Sequence, residues 1–323
     1  MLQNREQALS LPSPTVINFL AVTNSLSIVC GIIVAAIVFY SKYRHMQNDV
    51  PLAFRVSLYI GLIDAIGSAT RLFLNRVPSD YVMSPTSSKA CLYIITFSTI
   101  ASVALSNAVA LSLHLNVLSK NLFKKRANWY YEYVAIALSL VLSTPVFFLY
   151  DFITFSTLLR EFFMVAINNQ STILTMALSY YSILFIGILY CYAVFAHVCI
   201  FSFFPQFQKT NSLTQGSLNQ SFVHATPHQK RKSINTIRWM LLYPLVPIIS
   251  DTFFVITGFF PTLPGINNLA NILSTSQGIL NFIVFTLNPK FRDLYFYKVI
   301  PVSRQEASSS ISTQINLLPN HKF

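Results

Sequence analysis

The side chains of this chain that could do chemistry are a few ionisable and amide groups inside long apolar runs. Asp64 lies 13 residues after Pro51 in one such run, which is about 20 Å along a helix axis. Polar groups at membrane depth are costly and usually face the interior of a bundle. A carboxylate there suits a polar switch or a cation pocket, and it also suits a protonated aspartate in a structural hydrogen bond. We expect its partners to be Ser106, Asn107 and Asn281, which lie in other apolar runs.

Three further polar residues predict the lining of a ligand pocket. They are Arg71, Asp251 and Gln277, each within an apolar run. Arg71 lies near the end of its run, so it either faces the pocket or extends its long side chain to the lipid headgroups. Asp251 either contacts a ligand or is solvated at the rim of the pocket.

No catalytic constellation accompanies these residues. No histidine lies at helical spacing from Asp64 or Asp251, and the four cysteines have no metal-type spacing. The last apolar run contains no lysine that could hold a retinal. We therefore expect neither an enzyme nor a bound metal or cofactor.

The elements that must position these residues are seven apolar stretches of about 20 residues or more, enough to cross a hydrocarbon core of roughly 30 Å. They cover residues 16–40, 51–74, 90–115, 130–150, 171–204, 237–260 and 268–287. The sequence is 54% hydrophobic and 10% charged, against roughly 25% charged in a soluble domain. We predict an all-α membrane protein, a seven-transmembrane helix bundle in a lipid bilayer.

Basic residues occupy alternate loops, which predicts the orientation of the bundle. Of the 22 Lys and Arg residues, fifteen lie in the odd-numbered connections and the C-terminal segment, and four lie on the other side. Because short cytoplasmic loops are enriched in Lys and Arg, we expect the N-terminus outside, the C-terminus inside and a multi-pass protein of the plasma membrane. This placement also accounts for the net charge of +12 without a nucleic-acid partner.

The polar segments divide the chain further. Residues 1–15 predict an extracellular tail and residues 16–300 the bundle. Residues 205–235 predict a long third cytoplasmic loop, and residues 301–323 predict a disordered cytoplasmic tail. The candidate phosphorylation sites in these two segments are Ser233, Ser308, Ser309 and Ser310. A plain solvated linker fits these serines equally well. If they are phosphorylation sites, the expected partners are a kinase that modifies them and an arrestin-like regulator that binds the modified chain.

Two prolines lie close together in the sixth stretch. Tyr243 precedes Pro244, and Pro247 follows three residues later. Proline removes a backbone hydrogen bond and clashes with the preceding turn, so we expect a kink here. The kink serves either as a hinge for the cytoplasmic end of the helix or as a static filler of space.

Short motifs in three stretches carry a resemblance to a known family. They are Phe54-Arg55 with Ser57-Leu58-Tyr59 and Asp64, then Met240-Leu241-Leu242-Tyr243-Pro244, and then Gly278-Ile279-Leu280-Asn281 running to Phe291-Arg292. Together they resemble G protein-coupled receptors, in particular the fungal and slime-mould type that includes cyclic AMP receptor-like and glucose receptor-like proteins. The resemblance covers about residues 16 to 300.

The last stretch carries the most specific part of this resemblance. Asn281 to Phe285 is similar to the Asn-Pro-x-x-Tyr motif of rhodopsin-like receptors, with Phe285 at the tyrosine position. Phe291-Arg292 resembles the start of the short amphipathic helix that follows in those receptors, which we expect at about 289–299. The pair Asn288-Pro289 would then join the two helices.

The inner end of the third stretch departs from the rhodopsin-like pattern. Leu113-His114-Leu115-Asn116 stands where an acidic residue followed by Arg-Tyr is expected, so that ionic lock cannot form. The fungal and slime-mould type also lacks the triplet. The resemblance implies a receptor that binds an extracellular ligand and activates a heterotrimeric G protein through movement of its sixth helix.

The resemblance also assigns residues to roles. The expected switch and polar core are Asp64, Asn107, Asn281, Phe285, Tyr243, Pro244 and Pro247. The expected contacts on the G protein side are His114, Lys124, Lys125, Arg126, Arg238 and Arg292. A small membrane transporter or channel is the alternative function, and it would need a polar path or broken helices near the middle of the membrane.

Overall fold

The computed structural model describes residues 14–44, 52–76, 84–118, 130–149, 180–203, 239–259, 264–288 and 291. Its helices are α1 (Pro14–Arg44), α2 (Leu52–Arg76), α3 (Pro85–Leu118), α4 (Tyr131–Leu149), α5 (Ser182–Phe203), α6 (Leu242–Phe259), α7 (Pro264–Thr275) and α8 (Gln277–Leu287). These ranges contain no strand. The predicted all-α class is therefore confirmed for this part of the chain.

Each of the seven predicted stretches contains a helix, and the seventh contains two. Four helices, α1, α2, α3 and α5, include a segment long and apolar enough to cross a membrane. The pair α7 and α8 adds a fifth if the two are counted as one bent span. The chain is thus a membrane protein by the length and composition of its helices.

Several helices expose large apolar side chains on their outer faces. Phe39 of α1, Val141 of α4 and Ile186 of α5 are 57%, 67% and 65% exposed. Soluble proteins rarely leave wide apolar faces open to water, whereas the same faces suit contact with lipid tails. The outside of the bundle therefore agrees with a position in a bilayer.

The helices form a closed arrangement around α3. Helix α3 contacts α2, α4, α5 and α6, while α7 and α8 return to pack against α1. This arrangement turns the polar residues of α2, α3, α6 and α8 toward one another. The centre of the protein is consequently the place where polar side chains from distant parts of the sequence can meet.

A close helix contact joins α1 to α2 through two glycines. A Cβ atom added to Gly31 would lie 2.3 Å from the carbonyl oxygen of Gly61, and one added to Gly61 would lie 3.2 Å from the carbonyl oxygen of Gly31. Only residues without a side chain let the two backbones come this close, as is common between helices in membranes.

The start of α6 differs from the predicted continuous helix over residues 237–260. A turn at Leu241 precedes α6, which begins at Leu242. Pro244 therefore occupies the first turn of the helix, where its missing N–H costs no hydrogen bond, and Pro247 lies inside the helix. The break before Pro244 follows because proline cannot donate to the carbonyl of Met240, four residues earlier.

Most of the predicted polar segments lie outside the described residues. This holds for the loop at 205–235, the tail at 301–323, residues 1–13 of the N-terminal tail, and all of the helix expected at 289–299 except Phe291.

Candidate functional site

A hydrogen bond between α2 and α8 lies at the centre of the bundle. The amide Nδ2 of Asn281 donates to Oδ2 of Asp64 at 2.7 Å, and both side chains are buried. The contact with Asn281 is one that the sequence led us to expect. The two residues are 217 positions apart, so this hydrogen bond connects segments that are distant in the sequence.

A second buried carboxylate joins this centre from α6. Nε2 of Gln277 lies within hydrogen-bond distance of both Ser102 Oγ, at 3.0 Å, and Asp251 Oδ2, at 3.3 Å. Ser102 also lies near the carboxylate of Asp64. We call Asp64, Ser102, Asp251, Gln277 and Asn281 the polar centre. It connects α2, α3, α6 and α8 through side chains alone.

The polar centre is incompletely satisfied. Asp251 is fully buried, with 0% of its surface exposed, so the alternative that it is solvated at a rim is wrong. Its Oδ1 and the Oδ1 of Asn281 are buried without a hydrogen-bond partner among the described residues. Unmade hydrogen bonds of buried groups cost about 1–3 kcal/mol each. A rearrangement of these side chains that gave both oxygens partners would recover this cost.

A break in the last stretch places Gln277 at this centre. The axes of residues 268–275 and 277–287 meet at 42°, and Ser276 forms the turn between α7 and α8. From α1, Ser27 Oγ donates to the carbonyl oxygen of Thr275 at 2.7 Å. The carbonyl that the break leaves available is thereby satisfied. Gly278 keeps the contact close, because a Cβ there would lie 2.9 Å from Cβ of Ser27.

Arg71 and Gln277 line a small polar cavity beside the polar centre. Its walls are Asp64, Gly67, Ser68, Arg71, Ser98, Thr99, Ser274, Gln277 and Gly278. Arg71 Nη2 donates to Thr99 Oγ1 at 3.0 Å, so this side chain turns toward the bundle. The cavity has a volume of about 10 Å³, close to the minimum that holds one water molecule. Of the three predicted pocket residues, Arg71 and Gln277 line it, and Asp251 lies on the other side of Gln277.

The predicted switch residues of α6 lie near the N-terminal end of α2. Tyr243 is 1% exposed, and its hydroxyl lies 2.7 Å from Ser57 Oγ. The Ser57 hydroxyl in turn donates to the carbonyl oxygen of Ala53, so Tyr243 is the donor to Ser57. Pro244 and Pro247 are both buried next to this contact. The motif around Tyr243 thus anchors α6 to α2.

Phe285 is the centre of an aromatic cluster near the end of α8. It is fully buried, and its ring centre lies 5.4 Å from that of Phe54 and 5.0 Å from that of Phe291. The position that aligns with a tyrosine in rhodopsin-like receptors is therefore packed among apolar side chains in the described part of the chain, including Val34 and Val38. The ring contacts join α8 to α2 and to Phe291, four residues after the end of α8.

Two predicted partners of Asp64 lie elsewhere. Asn107 Oδ1 accepts a hydrogen bond from the thiol of Cys191 in α5 at 2.8 Å. Ser106 Oγ is buried with no hydrogen-bond partner in the described part of the chain. A helix turns by about 100° per residue, so adjacent residues such as these face different neighbours.

On the expected G protein side, the structure describes one of the named residues. His114 lies near the end of α3, with its ring centre 5.0 Å from that of His197 in α5. The remaining candidates lie outside the described residues: Lys124, Lys125, Arg126, Arg238, Arg292, Ser233, Ser308, Ser309 and Ser310.

An ion pair that was not predicted from the sequence joins α2 to α4. Arg55 Nε lies 3.1 Å from Oε1 of Glu132 and donates to Oε2 at 3.3 Å. Glu132 is fully buried, and the Arg55 side chain is 15% exposed. The available signal was charge: an isolated acid in the first turn of the fourth stretch and an arginine near the start of the second. Charges at such positions pair or face water.

Comparison of the sequence with models of known protein families and with curated proteins finds no match. The geometry of the polar centre and the motifs in the sequence therefore carry the functional argument.

Proposed function

We propose that this protein is a seven-transmembrane G protein-coupled receptor of the plasma membrane, with its N-terminus outside and its C-terminus inside. The observation that carries the proposal is the buried hydrogen bond between Asp64 and Asn281, next to the break between α7 and α8. It joins two of the motifs that resemble the receptor family, one in α2 and one in α8, which lie far apart in the sequence. The expected partners are an extracellular ligand and a heterotrimeric G protein.

In this mechanism the polar centre holds α6 in the closed state. Gln277 is the only member that contacts both α3 and α6 among the hydrogen bonds of the described residues. Its 3.3 Å contact with Asp251 lies at the long end of hydrogen-bond distances, so breaking this one bond costs little. A ligand then needs only to bind the open state better, and each 1.4 kcal/mol or so of preference changes the ratio of states tenfold.

The contact between Tyr243 and Ser57 gives α6 a fixed point in this proposal. Pro247 lies one turn later in α6, where the backbone lacks one hydrogen bond. Bending there moves one part of α6 relative to the other. Asp251 lies one turn beyond Pro247, so the bend would change its distance from Gln277.

The proposal is tested by nucleotide exchange on a fungal G protein α subunit, using the purified chain reconstituted in vesicles. Replacing Gln277 with Leu removes both bridging hydrogen bonds and should raise exchange in the absence of ligand. Asp64→Asn should also change exchange. The matched control is Ser139→Ala, because Ser139 is buried in α4 and bonds only its own helix, at Ala135 O.

We expect exchange above that of empty vesicles for the wild type and the control, and a higher rate for Gln277→Leu. If none of these folded proteins stimulates exchange above empty vesicles, with any G protein α subunit tried, the receptor proposal fails. Circular dichroism and size-exclusion profiles establish that each variant is folded.

A small transporter or channel is the second candidate, and one observation favours it. Transporter sites are commonly built at broken helices near the middle of the membrane. Here the break between α7 and α8 adjoins two buried carboxylates, Asp64 and Asp251, and a small polar cavity. Flux of cations or protons into vesicles that contain the wild type, lost in Asp64→Asn, would support this function. Vesicles with no flux above background would exclude it for those ions.

A further inference from the structure

Two histidines from different helices meet at one end of the bundle. His114 lies four residues before the end of α3, and His197 lies six residues before the end of α5. Both side chains are partly exposed. Their rings are 5.0 Å apart between centres and inclined at 63°.

This separation fits two imidazoles that share a tetrahedral metal ion. A zinc ion bound at about 2.0–2.1 Å from an imidazole nitrogen lies about 3.2 Å from the centre of that ring. At a tetrahedral angle, two such rings therefore have centres about 5 Å apart. The observed distance between the ring centres of His114 and His197 matches this value.

The surroundings hold the two rings in place. Leu113 and Val198, the neighbours of the two histidines in sequence, are buried in one apolar cluster with Val194 and Leu241. This cluster packs α3 against α5 at the residues next to the two histidines. A metal ion would therefore not have to bring the two helices together.

The donor set defines the kind of metal. No group of three or more His, Cys, Asp or Glu side chains with metal-binding geometry occurs among the described residues, so water completes the coordination. Neutral imidazoles favour late transition metals over the hard cations Mg²⁺ and Ca²⁺. We propose that His114 and His197 form a two-histidine site for Zn²⁺ or a similar transition-metal ion that links α3 to α5. The proposal does not depend on the receptor function.

The test measures thermal unfolding of the full-length chain, without a polyhistidine tag, in detergent with added ZnCl₂. We expect Zn²⁺ to raise Tm in a saturable manner, because a ligand that binds only the folded state stabilises it. Ni²⁺ and Cu²⁺ should do the same, and Mg²⁺ and Ca²⁺ should not. His114→Phe and His197→Phe keep an aromatic ring and remove the ligand, and each should weaken the apparent affinity for Zn²⁺ on the order of tenfold or more.

Two controls separate this site from other metal-binding groups. His224→Phe removes a histidine outside the described residues, and Cys199→Ser removes the thiol of a residue that packs against the same apolar cluster. Both should keep the full Zn²⁺ response. Equilibrium dialysis gives a second readout if a phenylalanine variant is too unstable for melting, with His114→Asn as the replacement. The proposal is overturned if Zn²⁺ leaves the wild type unchanged, or if its effect persists in both His114 and His197 variants. Either result would mean that the rings only pack against each other.

Discussion

Buried carboxylates occur in two regions of this bundle, and the two regions are built differently. Glu132 pairs with the guanidinium of Arg55 and joins α2 to α4. Asp64 and Asp251 are held by the neutral amides of Asn281 and Gln277. An ion pair that loses one partner leaves an uncompensated charge, whereas amide contacts can be exchanged for other polar contacts at lower cost.

We interpret the ion pair as a fixed joint between helices and the polar centre as a movable one. The ion pair connects α2 to α4, and both of these helices pack against α3. The polar centre connects α2, α3, α6 and α8, and two of its polar atoms, Oδ1 of Asp251 and Oδ1 of Asn281, lack partners among the described residues. We therefore expect substitutions at the ion pair to act on stability, and substitutions at the polar centre to act mainly on the balance between conformations.

The largest effect is expected from breaking the ion pair. Arg55→Met leaves the buried carboxylate of Glu132 without its cation, which should lower the free energy of unfolding by about 3–5 kcal/mol. The double variant with Glu132→Met should recover most of this loss, because both charges are then absent. Unfolding in a denaturing detergent series measures both. A loss below about 1 kcal/mol in the single variant would contradict a closely paired, buried charge.

A smaller effect is expected from Asn281→Leu. It removes the 2.7 Å hydrogen bond to Asp64 and should destabilise the protein by about 1.5 kcal/mol, near the upper end for hydrogen bonds between membrane helices. The remaining contact with Ser102 limits the loss. Ser143→Ala is the control, since Ser143 bonds only within α4. The same unfolding assay measures both variants. An equal loss of stability in both would mean that the hydrogen bond between Asn281 and Asp64 contributes no more than a hydrogen bond within one helix.

Gln277→Met should have a still smaller effect on stability, about 1 kcal/mol, and a distinct effect on conformation. Methionine has a similar length but cannot bridge Ser102 and Asp251. Movement of α6 should therefore become easier. A pair of spin labels on α6 and α3 should show a broader distance distribution in the variant than in the wild type. An unchanged distribution would mean that Gln277 does not hold α6.

The smallest effect is expected from Tyr243→Phe. The substitution removes the hydroxyl that lies 2.7 Å from Ser57 and keeps the buried ring, so we expect a loss of about 0.6 kcal/mol. The double-mutant cycle with Ser57→Ala isolates this pair. A coupling energy above about 2 kcal/mol would place Tyr243 among the fixed joints, together with the ion pair.

The contacts of these two regions were predictable to different degrees. Asp64 and Asn281 were expected to meet because each is an isolated polar group deep in an apolar stretch. Gln277 was assigned only to a pocket, since its bridge to Asp251 depends on the break at Ser276. The pair of Arg55 and Glu132 was missed because each lies near the end of its stretch, where a charge can also face the headgroups.

The sequence by itself determined the helices and their suitability for a membrane. Apolar length and the satisfaction of backbone hydrogen bonds within each helix are local properties, and they can be read without knowledge of neighbours. Only the tertiary structure decided which polar side chains meet. That outcome depends on the rotation of each helix about its axis and on close contacts such as Gly31 against Gly61. These are set by packing between segments distant in sequence.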